Sequence, residues 1–142
     1  MDKKVSEIFK LSKECVFVLN VRRDEESLEF VYPPKMKGNL LPINTKSIAG
    51  SAVLNRRPYI SNNVRLEKSF IIFDWIMDRG GTPIQKMISY PVLLTEKVIS
   101  VIQITRRGDS LSEAGPDFDK SDLEKLSSIL NSFLALQVVS SA

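Results

Sequence analysis

Residues 85–107 read Gln-Lys-Met-Ile-Ser-Tyr-Pro-Val-Leu-Leu-Thr-Glu-Lys-Val-Ile-Ser-Val-Ile-Gln-Ile-Thr-Arg-Arg. Two runs rich in β-branched and apolar side chains flank the short polar break Thr95-Glu96-Lys97, which is the signature of a β-hairpin. Both runs are too apolar to leave one face wet, so they read as central strands covered on both sides. Pro91 interrupts the first run. It cannot donate to a ladder, so a bulge or a locally unpaired edge is expected around it. Gln103 shares a strand face with Val101 and Thr105 in the second run, because successive side chains alternate. A buried amide there must find a partner in the protein, in water or in a ligand.

Working toward the N-terminus, Asp78 to Pro83 form a flexible lead into the hairpin. Before it, Leu66 to Met77 are dense in apolar groups, and Leu66, Phe70, Phe73 and Met77 fall on one helical face. Ile72 and Trp75 lie outside that face, so the segment is apolar nearly all round and is expected to be buried or to cover something. Phe70, Phe73 and Trp75 either roof a pocket or fill a core. Asp74 sits in the same run, where an unpaired carboxylate is costly; it faces solvent, pairs with Arg79 or points at a ligand. Tyr59 to Ser61 read as a brief third strand and Asn62-Asn63 as a turn. Ser61, Asn62 and Asn63 offer donors and acceptors at that strand end.

Ser47 is placed to cap a short helix, Ile48 to Asn55, whose small residues Ala49, Gly50, Ser51 and Ala52 allow close approach to a neighbour. Lys35 to Leu40 read as a loop, and Pro33-Pro34 end a second strand in which Leu28, Phe30 and Tyr32 alternate with Glu29 and Val31. Arg22 to Glu26 form a charged turn, and Cys15 to Val21 a first strand. Lys3 to Lys13 carry Val5, Ile8 and Phe9 at helical spacing. Beyond the hairpin, Gly108 to Asp117 form a loop and Asp119 is placed as an N-cap, with Asp122 in the first turn. A last helix is expected from Lys120 to Val139, with Leu123, Leu126, Leu130 and Phe133 on one row and Ile129 and Leu136 on a second. Packing one row on the sheet leaves the second to a partner, so a homodimer through the terminal helices is expected.

Composition narrows the chemistry. The 142 residues are 43% hydrophobic and 26% charged, ordinary for one soluble globular domain spanning residues 1–142. There is no histidine, hence no imidazole base and no usual zinc or haem ligand set. The single cysteine, Cys15, excludes an intrachain disulfide and reads as a buried structural thiol. The expected catalytic and metal-binding residues are therefore none, and the residues name no cofactor. The net charge of +3 is mild and unclustered, which argues against nucleic acid. No apolar run reaches membrane-spanning length, so a cytoplasmic protein without a membrane partner is expected.

The ordered set of a small-residue helix, Asn-Arg-Arg-Pro-Tyr-Ile-Ser-Asn-Asn-Val (55–64), Ser-Tyr-Pro-Val-Leu-Leu (89–94), Val-Ile-Ser-Val-Ile-Gln-Ile (98–104) and Phe118-x-x-x-Asp122 resembles the GAF domain family. The resemblance covers almost the whole chain. It implies an α+β fold of the profilin/PAS type, with a six-stranded antiparallel sheet. Terminal helices would cover one face, and a pocket roofed by the middle helices would lie on the other. It also implies a non-catalytic sensory or regulatory role in signal transduction, with a small molecule bound by Ser61, Asn63, Phe70, Phe73, Asp74, Trp75 and Gln103. The alternative is a ligand-free dimerisation module. Cyclic-nucleotide-binding members carry Asn-Lys after the last hairpin strand and Asp-Glu after Phe-x-x-x; here Arg106-Arg107 and Asp122-Leu123 stand at those positions, so no cyclic nucleotide is expected. Methionine-sulfoxide-reducing members need several cysteines, and bilin-carrying members need one in the middle helical region, where this chain has none.

Overall fold

The structure, a computed structural model, describes residues 16–32, 34–67 and 82–141, with side chains described as far as Asn131. The helix expected over 3–13, Cys15, and the apolar segment from residue 68 to residue 81 lie outside the described residues.

Alternating apolar runs produce six strands: β1 Val16–Val21, β2 Ser27–Tyr32, β3 Leu40–Pro42, β4 Tyr59–Ser61, β5 Ile84–Leu94 and β6 Lys97–Arg107. Among the described residues two α-helices accompany them, α1 Ile48–Asn55 and α2 Lys120–Ser141. The strands form one sheet in the order β3-β2-β1-β6-β5-β4, with every neighbouring pair antiparallel. The hairpin of residues 85–107 therefore supplies two of the inner strands, as its apolar character predicts.

Thr95 and Glu96 make the hairpin turn, both at positive φ (49° and 68°), the backbone that a tight two-residue connection requires. Pro91 stands opposite Val101 in the β5–β6 ladder. β4 pairs with β5 only as far as Ser89, so past that point β5 borders no described strand on its other side. The ladder shifts register between Val92 and Leu93, beside the proline.

Two expectations about the sheet need correction. Leu40, read as the end of a loop, opens a strand, Leu40–Pro42, that pairs with β2, and Tyr59–Ser61 is the fourth strand, not the third. Three residues are too few to show a period of two, and Pro42 is tolerated because β3 is a sheet edge. Leu66, placed on the buried face of a helix beginning there, instead ends a 3₁₀ turn, Val64–Leu66, and is 69% exposed. Val64 is the residue of that turn that enters the core.

Period-two alternation divides the core into two layers. Phe17, Leu19, Leu28, Phe30, Leu41, Met87 and Val101 point to one face and pack with Ile48 and Ala49 of α1. Val16, Val18, Ile88, Ile102 and Ile104 point to the other and pack with Leu126, Ile129 and Leu130 of α2. Ile129, expected on an uncovered second row, is buried in this second layer with 9% exposure. It follows Leu126 by three residues, which keeps both on the sheet-facing side. Phe133 and Leu136 lie beyond the described side chains.

Both helix starts are built as their sequences predict. Ser47 Oγ accepts from the Gly50 amide at 2.9 Å. Asp119 Oδ1 accepts from the amides of Ser121 (2.9 Å) and Asp122 (3.3 Å), while Asp122 Oδ2 accepts from the Asp119 amide at 2.9 Å. This reciprocal arrangement is a capping box with aspartate at its third position. Hydrogen bonds from Ser121 and the Asp122 amide hold the Asp119 carboxyl below its ordinary value of 3.8. A folded-state pKa that is depressed contributes stability above the ordinary value, and that stability is lost as pH falls through the folded value. Thermal unfolding followed below about pH 4 is therefore expected to fall less steeply in Asp119→Asn than in the wild type. Equal slopes would remove Asp119 from the acid response.

Candidate ligand-binding face

The sheet face opposite α2 is apolar over β1 to β3, while over β4 to β6 polar side chains are set among Met87 and Val101. In register, Tyr59 stands opposite Ser89 and Ser89 opposite Gln103, one row across three strands. The next row is Ser61, Met87 and Thr105. Ser61, Ser89, Gln103 and Thr105 are all buried, at 3%, 0%, 0% and 0% exposure.

Gln103 is the centre of this patch. Its Nε2 donates to Ser89 Oγ at 2.9 Å and faces Met87 Sδ at 3.4 Å. A thioether accepts but cannot donate, so this side of the amide is the nitrogen. The carbonyl oxygen, Oε1, then points away and has no hydrogen-bond partner among the described residues. A buried acceptor left unmade costs about 1–3 kcal/mol, so a native structure normally supplies it with a donor.

Glu67 closes the β4 side. Its carboxylate receives Ser61 Oγ at 3.0 Å and Tyr59 Oη at 3.3 Å. Burial first, and then the negative charge of Glu67, push the Tyr59 phenol above its ordinary value, so it stays a neutral donor at neutral pH. The 3₁₀ turn Val64–Leu66 brings Glu67 back over Tyr59 and Ser61.

The expected site residues divide accordingly. Gln103 and Ser61 lie on this face. Asn63 precedes the 3₁₀ turn, half-buried, and makes no side-chain cap. Its neighbour Asn62 is occupied elsewhere: Nδ2 donates to the Phe118 carbonyl (3.1 Å) and Oδ1 accepts from the Phe118 amide (2.8 Å). Phe70, Phe73, Asp74 and Trp75 lie outside the described residues. Tyr59, Glu67 and Ser89 were missed by sequence reasoning. The Thr95-Glu96 turn alone would set Ser89 opposite Ile102; the register shift between Val92 and Leu93 aligns it with Gln103, so the pairing was not legible in the sequence.

The basic strand end proves structural. Arg106 Nη1 donates to the Pro116 carbonyl, and its guanidinium lies 4.1 Å from the Phe118 ring centre. Arg107 Nη1 donates to the Thr82 carbonyl at 2.7 Å. The Phe118-x-x-x-Asp122 motif is likewise accounted for by packing and capping, since Phe118 fills the α2 layer and Asp122 completes the helix start. Lys86, buried at 5% exposure, donates to the Gly115 carbonyl (2.6 Å) and pairs with Asp117 (2.8 Å).

A separate open depression of about 370 Å³ lies at the hairpin end, floored by Val21, Ile43, Val53 and Val98. Among the described residues no group of three or more His, Cys, Asp or Glu side chains could hold a metal ion, and no helix is long and apolar enough to cross a membrane.

No protein-family model matches the chain, and no curated protein matches it significantly. Solved structures do. The GAF domain of an Acinetobacter phosphoenolpyruvate-protein phosphotransferase superposes with a TM-score of 0.72 at 13% identity, over 92% of this chain and 73% of that one. The GAF-B domain of DevS from Mycobacterium smegmatis gives 0.65 at 18% identity, over 99% and 92%. The reduced form of fRMsr of Staphylococcus aureus gives 0.59 at 22% identity, over 82% and 66%. Six antiparallel strands, a small-residue helix on one face and a long terminal helix on the other, matched by these neighbours, give the chain the fold of a GAF domain.

Proposed function

We propose that residues 1–142 form one non-catalytic sensory or regulatory GAF domain, acting in signal transduction by binding a small molecule on the sheet face opposite α2. The observation that carries this reading is the fully buried Gln103 Oε1 without a donor among the described residues. A ligand donor there would complete the amide's hydrogen bonding. Structural neighbours in a phosphotransferase and in DevS support a regulatory setting. One neighbour, fRMsr, has also been solved in complex with substrate, so the fold itself does not exclude catalysis. This chain has no histidine and a single cysteine to offer for such chemistry.

The route to an output is short. Ser89 and Gln103 face the proposed ligand, while Ile88, Ile102 and Ile104 of the same strands face α2. A ligand that favours one arrangement of β5 and β6 therefore biases the packing of Leu126 and Leu130, a population shift across a single sheet. On this reading the domain is cytoplasmic and pairs as a homodimer through its terminal helices, which light scattering at micromolar concentration distinguishes from a monomer.

The test compares protein as purified from cells with the same protein unfolded in guanidinium, dialysed and refolded. A ligand at a hundred times its Kd stabilises by about 2.7 kcal/mol, so the stripped protein is expected to melt several degrees lower, roughly as this free energy divided by the unfolding entropy. A low-molecular-mass cell extract should restore the difference. Identical melting of both preparations, unchanged by extract, would contradict the reading.

A further inference from the structure

The polar half of this face is rich in acceptors and carries a negative charge. Gln103 Oε1 is an acceptor without a donor among the described residues, while Nε2 is directed at Ser89 and Met87. The Glu67 carboxylate is the second acceptor. Tyr59 and Ser61 direct their hydroxyls at it, which leaves lone pairs over, since a carboxylate accepts at about four positions. No cation among the described residues forms an ion pair with Glu67. An anion placed on this face would meet the like charge of Glu67 in a partly dry site, which is costly. A cation would meet its counter-charge.

The spacing sets the ligand's size. Tyr59 and Gln103 are in register across β4, β5 and β6, hence about 10 Å apart along the sheet at two interstrand spacings. Glu67 sits against Tyr59 and Ser61 at the β4 end of that span. A ligand that reaches both ends must therefore carry its two donors on a chain of several atoms.

We infer that the face takes a small organic amine, whose ammonium group meets the Glu67 carboxylate and whose second N–H or O–H donor meets Gln103 Oε1. This assignment rests on the proposed site and specifies its ligand class. Burial first, and then the charge of Glu67, raise the Tyr59 pKa, so the field of the carboxylate is felt beside it.

Calorimetric titration of the full chain with putrescine, ethanolamine, nitrate and cyclic GMP tests the assignment on the wild type, Glu67→Gln and Gln103→Leu, with circular dichroism confirming the fold of each. Putrescine or ethanolamine is expected to bind the wild type. Each substitution should weaken it by at least about tenfold, the effect of losing a charge-assisted or buried hydrogen bond. If Gln103→Leu fails to fold, Glu67→Gln carries the comparison. Amine binding that Glu67→Gln leaves unchanged would overturn the assignment. Binding of nitrate or cyclic GMP that Gln103→Leu removes would overturn the ligand class while supporting the site. Silence from all four probes would also overturn the amine class, and the site would then stand or fall on the stripping experiment.

Discussion

Truncating Phe30 to alanine is expected to lower the unfolding free energy by about 3–5 kcal/mol, the usual cost of deleting a buried aromatic ring. Phe30 is fully buried in the middle of β2. Its ring meets Phe17 edge-on, with centroids 6.3 Å apart and planes at 85°, a geometry that adds to simple area burial. Leu19, Leu28, Leu41 and Ile48 share the same layer. The surrounding strands are held by their ladders, so the hole can collapse only in part. Chemical denaturation should show the loss as a lower midpoint at similar slope, and the melting temperature should drop by on the order of 10 °C. A loss below about 1 kcal/mol, the scale of a surface substitution, would mean that this layer is not packed as described.

Gly50→Ala is expected to destabilise, against helix propensity. In a helix interior alanine is favoured over glycine by roughly 1 kcal/mol. Here, however, an added Cβ would lie 2.4 Å from the Asn44 carbonyl oxygen, 2.8 Å from the Asn44 amide nitrogen and 3.0 Å from Ser47 Oγ. Two of these are backbone atoms, and the third is the hydroxyl that caps the helix. Relief requires α1 to lift away from the preceding loop, which disturbs Ile48 and Ala49 in the core. The net effect should be a loss of about 1–3 kcal/mol, the range of overpacking, read by thermal or urea unfolding. A stabilised Gly50→Ala variant would show that the loop moves aside freely. The small-residue helix thus lies close to its neighbour, as its composition predicts, and at Gly50 there is no room for a Cβ.

Much of this fold is legible in the sequence where local chemistry and tertiary role agree. Residues 85–107 form two apolar, β-branched runs around a polar turn, so both strands and their burial can be read directly. Ser47 and Asp119 cap helices for reasons confined to three or four residues. The reading fails where the deciding interaction is distant. Leu40–Pro42 becomes a strand only because β2 offers an edge to it. Leu66 looks like a core leucine until the 3₁₀ turn places it outward. Ile129 looks surplus until the sheet is seen to bury it beside Leu126 and Leu130.

The same distinction governs the site. Gln103 can be placed because its alternation with Val101 and Thr105 is local, and the structure puts it on the expected face. Glu67 cannot, because a carboxylate in a charged loop looks solvated. Only its hydrogen bonds from Tyr59 and Ser61 bring it onto the sheet. Ser89 cannot be placed either, because the register shift between Val92 and Leu93, not the turn, sets it opposite Gln103. Arg106 and Asp122 carry the opposite lesson. Both occupy positions that suggest ligand contact by motif, and both are committed to holding the loop and helix that follow β6.

Native mass spectrometry of protein purified directly from cells, wild type beside Gln103→Leu, tests the central claim most directly. The wild type is predicted to carry a bound small molecule that leaves on denaturation, and Gln103→Leu to appear folded with that mass absent or strongly depleted. The account is contradicted if the wild type flies bare under conditions that preserve non-covalent complexes, or if the leucine variant retains the same molecule in full.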